Sequence, residues 1–126
     1  MDLSKPLDKA SAQEINSYCD KKGKEFAINI KTNQIRNVFS KITSIRNNYS
    51  IKREVNEKIE RDLILLKPLL AYSAGRKAEV KNFQQEMNKV IDAVINSTDK
   101  NLALQNFFAI VEGFVAYHKF YGGRDN

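Results

Sequence analysis

Apolar residues in this chain return at steps of three and four in segment after segment, and a strict alternation of apolar and polar residues is sustained nowhere. That spacing puts side chains on one face of a helix, and a strand would scatter them over both sides. Only five glycines and two prolines interrupt it, so the elements are long. The pattern predicts an all-α fold, a compact bundle of about five helices joined by short loops and built without an internal repeat. A chain of 126 residues suits one domain spanning 1–126, with residues 1–8 and 124–126 expected as flexible tails. The single Cys19 forms no internal disulfide and no cysteine-rich zinc site. No stretch approaches the roughly 18 apolar residues of a membrane span. The opening Met1-Asp2-Leu3-Ser4-Lys5-Pro6 lacks the apolar centre of a secretory signal. A cytoplasmic protein with no membrane partner is expected.

The first helix is expected from about Ser11 to Ile30, with Lys21-Lys22-Gly23-Lys24 bending or ending it. The second is expected from Thr32, placed as an N-cap, to Tyr49, with Ile35, Val38, Phe39, Ile42, Ile45 and Tyr49 in one stripe. A third, about Lys52 to Tyr72, ends in Leu63-Ile64-Leu65-Leu66-Lys67-Pro68-Leu69-Leu70, which is apolar all round and so expected to be buried. Pro68 removes a backbone donor and crowds the Ile64 carbonyl, which predicts a kink, and Gly75 is expected as a left-handed stop. The fourth runs from about Lys77 to Asn96. The fifth, from Lys100 to Tyr121, is the most apolar and is expected at the centre, after a capping loop Asn96-Ser97-Thr98-Asp99.

The net charge of +6 has an address. Residues 31–53 carry Lys31, Arg36, Lys41, Arg46, Lys52 and Arg53 with no carboxylate among them, so this segment alone holds six positive charges. Helical phasing puts Arg36, Ser40, Thr43, Ser44 and Asn47 opposite the apolar stripe, with Asn37 and Lys41 beside them. Unpaired cations among neutral donors suit a phosphate-sugar backbone, which offers anionic oxygens and demands no base code. The plainer reading is a solvated helix face. A second cationic group, Lys67, Arg76, Lys77 and Lys81, is diluted only by Glu79. Tyr72 beside Arg76 offers a ring for base stacking, although a tyrosine at helical spacing is more often core.

Evidence for catalysis is thin. His118 is the sole histidine and stands in register with Phe107, Val111, Phe114 and Tyr121, which favours packing or capping over a metal or a catalytic role. Glu54, Glu57, Glu60 and Asp62 complement the start of the third helix and can pair with Lys58 and Arg61. No glycine-rich phosphate loop and no Gly-x-Ser-x-Gly turn occurs. The reading is of a non-enzyme with no cofactor.

Two motifs then carry a resemblance. Leu65-Leu66-Lys67-Pro68-Leu69-Leu70-Ala71-Tyr72-Ser73-Ala74-Gly75-Arg76, followed by Phe114-Val115-Ala116-Tyr117-His118-Lys119-Phe120-Tyr121-Gly122-Gly123, resembles the small subunit of the Csm complex, the type III-A CRISPR effector. The segment from Thr32 to Arg46 is similar too, so the likeness spans about Lys31 to Gly123. It implies a non-catalytic helical subunit in antiviral defence that stacks in a row beside the backbone and large subunits; separately, an exposed apolar strip on a bundle suits a dimer in isolation. Such a subunit stabilises guide RNA and target RNA. The matching cations are Arg36, Lys67, Arg76 and Lys119, while Lys41, Arg46, Lys52, Arg53 and Lys77 join the expected RNA-binding set on charge alone. A helical adaptor whose basic face docks on an acidic protein is the alternative.

Overall fold

The computed structural model describes residues 1–125. Among them six α-helices form: α1 Ala12–Asn29, α2 Arg36–Lys52, α3 Glu57–Ile64, α4 Leu66–Arg76, α5 Lys81–Ile95 and α6 Lys100–Phe120. Short 3-10 turns precede α1, α2 and α5 at Leu7–Lys9, Thr32–Ile35 and Ala78–Val80. The fold is the all-α bundle that the periodicity predicts, and its buried apolar residues form one cluster.

Six helices stand where about five are expected, because the third breaks at Leu65. Pro68 has no N–H for the Ile64 carbonyl. The helix closes when the Leu65 N–H donates to the Arg61 carbonyl at 2.9 Å, and a new helix starts at Leu66. The restart moves Pro68 into the first turn of α4, where no intrahelical donor is required. Burial around this break is one-sided. Leu63, Leu66 and Leu70 are fully buried, but Ile64 and Leu65 are 46% and 40% exposed, which corrects the expectation of a run buried all round. Gly75 lies inside α4 and does not stop it; the left-handed glycine is Gly122, with φ 89°, just after α6.

Helix ends follow local chemistry. Ser11 and Glu14 close a reciprocal capping box on α1. Asn56 and Asp99 accept from the Ile59 and Leu102 amides at 2.9 and 3.0 Å, capping α3 and α6. Thr32 does not cap α2 with its side chain; it opens the 3-10 turn, and its N–H donates to the Arg124 carbonyl at 3.0 Å. Asn33 donates likewise to the Asp125 carbonyl at 3.1 Å. Leu7 and Asp8 are buried, and Asp8 accepts from the Asp99 N–H at 3.0 Å. Asp8 near one end and the backbone of Arg124 and Asp125 near the other thus make contacts with the bundle, while Asn126 lies outside the described residues.

The most extensive contact joins α1 and α6, which run parallel. Gly23 does not end α1, which runs on to Asn29; it sits against Tyr117 of α6, where a Cβ would overlap the Tyr117 Cβ. One turn earlier the relation is reversed: Gly113 of α6 receives the Cys19 side chain, whose Sγ would lie 2.5 Å from a Cβ at 113. The two glycines let the helix axes approach, and Phe26, Phe83 and Phe114 pack edge to face nearby, with Tyr18 tilted on Phe114.

Candidate nucleic-acid interface

The α2 stripe turns inward as its spacing dictates: Ile35, Val38, Ile42 and Ile45 are buried, with Phe39 and Tyr49 half-buried. Arg36, Asn37, Ser40, Thr43, Ser44 and Asn47 are exposed, with Lys41 half-buried beside them. The start of α2 has no side-chain cap and no acid in its first turn, which leaves its positive dipole end uncompensated.

Packing of α2 against α4 brings the two cationic groups of the sequence together. Arg36, Arg76 and Lys77 line one polar groove of about 270 Å³, with Asn33, Asn37 and Tyr72 between them. None of these three cations has a carboxylate within 4 Å among the described residues. Glu79 stands at the margin, where Gln34 donates to it at 3.3 Å. Its own backbone N–H and the Gln34 amide hold the carboxyl below its ordinary range, with Lys77 and Lys31 adding to the effect. Tyr72 is 62% exposed, which corrects the reading of it as core, and the Arg76 guanidinium lies 5.7 Å from its ring centre.

Other expected site residues are placed differently. Arg46 pairs with Glu112 of α6 and lies 5.6 Å from the Phe108 ring centre, so a carboxylate distant in sequence meets this part of the acid-free stretch. Lys67 meets Asp92 at 2.6 Å and Lys119 meets Asp125 at 3.5 Å. Lys52 is exposed in the last turn of α2. Arg53 is exposed as well, and its left-handed backbone, φ 56°, ends α2 with an N–H to the Tyr49 carbonyl at 2.6 Å. Neither Lys52 nor Arg53 borders the groove.

Several other ionisable groups make contacts within the fold. His118 is buried with Nε2 2.7 Å from the Ile30 carbonyl, and Gly123 lies against its ring. Burial pushes the Cys19 thiol up to about 12, and its Sγ–H donates to the Ile110 carbonyl. Glu86, facing a wide cleft beside α1, accepts from Tyr18 at 2.7 Å and meets both Lys22 and Lys89 at 3.4 Å. Lys58 pairs with Asp62 and Lys100 with Glu60, the structural use expected of that acidic cluster. Among the described residues no three His, Cys, Asp or Glu side chains stand close enough to hold a metal, and no helix is long and apolar enough to cross a membrane.

Comparison with known proteins agrees with the sequence motifs. The model of the family described as Csm2 type III-A matches residues 9–124, and so takes in α1, for which the motifs offer no counterpart. The "CRISPR system Cms protein Csm2" of Streptococcus thermophilus is 34% identical over 96 residues, 76% of either chain. No solved structure matches. With a family match over nearly the whole bundle and a relative aligned across three quarters of it, the chain belongs to the Csm2 family of type III-A CRISPR systems.

Proposed function

We propose that this protein is a non-catalytic small subunit of a type III-A CRISPR interference complex, stabilising guide RNA and its paired target RNA through the basic side of α2 and the end of α4. One observation carries the reading: Arg36, Arg76 and Lys77 converge on a single groove with no ion-pair partner among the described residues. Cations held together without acids suit a polyanion, and a phosphate backbone supplies charge at the required density. The family adds the context, since a Csm2 protein belongs with the other Csm subunits. Exposed Ile64, Leu65 and Phe120 supply apolar surface for contacts with neighbouring subunits or further copies in a row. Cytoplasmic residence goes with that assignment.

The test is to purify the protein from its native cell and identify what accompanies it. Guide RNA with large and backbone subunits is the expected result, and Arg36→Ala/Arg76→Ala/Lys77→Ala should lose RNA while keeping its helicity. An assembly that contains no RNA and survives nuclease would instead favour an adaptor docked on an acidic protein. RNA affinity unchanged in the triple variant would remove the groove from the reading.

A further inference from the structure

Three cations explain affinity for a phosphate backbone, but they do not explain a large aromatic ring left in water among them. Tyr72 is 62% exposed on the wall that carries Arg76 and Lys77, with Arg36 on the opposite wall. The Arg76 guanidinium lies over the ring at 5.7 Å, which places a cation beside an aromatic ring that stays mostly exposed. Asn33 and Asn37 add amide groups able both to donate and to accept. At about 270 Å³ the groove is close to the smallest small-ligand clefts, about 300 Å³, which leaves room for one base and its phosphate.

We propose that this groove seats an unpaired RNA nucleotide, its base stacked on Tyr72 and its phosphates met by Arg36, Arg76 and Lys77. Bases within an A-form duplex have both faces covered by their neighbours and offer a protein only backbone and shallow edges. A ring such as Tyr72 finds a partner only in a base that has left the stack, at a gap, a displaced position or a single-stranded end. The inference rests on the RNA-backbone reading above and adds to it the strand state that the groove selects.

The probe is a single-stranded oligouridine carrying one 2-aminopurine, titrated with the full chain at several salt concentrations beside a blunt RNA duplex. Quenching of the 2-aminopurine on binding is expected. Tyr72→Leu should weaken single-strand binding about tenfold and abolish the quench, with the duplex affinity and both salt slopes unchanged. Tyr72→Phe should restore the quench. Arg36→Ala and Arg76→Ala should weaken both ligands and shallow the salt slopes, by about 0.7 per lost contact on a single strand. Tyr72→Leu binding the single strand as tightly as the parent, or losing both ligands alike, overturns the stacking proposal. Salt-dependent binding without a quench overturns it too while leaving the backbone reading standing. Failure of the parent to bind either RNA overturns both.

Discussion

The α1–α6 seam and the α2–α4 groove are both places where helices meet, and they treat polar groups in opposite ways. At the seam polar groups are paired within the chain: Tyr117 donates to Asn16 at 2.6 Å and Tyr121 donates to Asp20, while toward α5 Lys22 and Lys89 share Glu86. Glycines bring the axes together until Cys19 and Tyr117 fill the space. At the groove Arg36, Arg76 and Lys77 surround open space, and the aromatic ring between them faces water. The seam is finished by the chain itself, whereas the groove leaves charge and apolar surface for something else to satisfy. Stability should therefore reside in the first region and binding in the second.

The largest effect that tests this division is Phe114→Ala. Phe114 is 2% exposed and packs on Tyr18, Phe26 and Phe83, so truncation should cost about 4 kcal/mol, read by urea unfolding. Gly23→Leu comes next, at about 3 kcal/mol of overpacking against Tyr117. Should either variant keep its stability and lose RNA, the division would be broken.

Glu86→Gln sharpens the comparison through pH. Burial raises the Glu86 carboxyl, but the Tyr18 hydrogen bond with Lys22 and Lys89 outweighs it and leaves the group below its ordinary 4.5. A carboxylate depressed in the folded state stabilises fully above its unfolded value and loses that contribution as pH falls through the folded one. Parent stability should thus decline below about pH 4.5. Glu86→Gln should lose about 1–2 kcal/mol at neutral pH and flatten the acid limb of the curve measured by thermal unfolding. The smallest effect belongs to Lys119→Ala. Both members of its pair with Asp125 are exposed, so thermal unfolding should register less than about 0.5 kcal/mol.

What could be read from the sequence follows the range of the interactions. Period and caps are local, so the helical class, the inward stripe of α2, the Asp99 cap and the disruption near Pro68 were all visible in the order of residues. The cations Arg36, Arg76 and Lys77 were legible as charge, but their meeting in one groove depends on how α2 packs on α4. Arg46 and Lys67 looked equally free, because Glu112 and Asp92 reach them only across the fold. Gly23 read as a breaker, since local propensity carries no trace of Tyr117 arriving from the far end of the chain. A signal was available in Gly113, a second glycine inside a strongly apolar helical pattern, where a close backbone approach is the usual reason. Tyr72 misled because its residue type favours the core, whereas the buried face of this segment runs through Leu63, Leu66 and Leu70, and position 72 lies off it.

Because α1 and α6 are partners, the order of synthesis bears on how the molecule is made. The Cys19–Ile110 and Tyr117–Asn16 contacts span 91 and 101 positions, long separations for an all-helical chain. As the chain leaves the ribosome, α1 emerges well before α6, and until then only its Phe26 and Tyr18 edge can meet a partner, on α5. Contacts of such separation slow folding, since a long loop must close before they contribute. The fit of Gly23 against Tyr117 and of Gly113 against Cys19 therefore forms only once both α1 and α6 have been made.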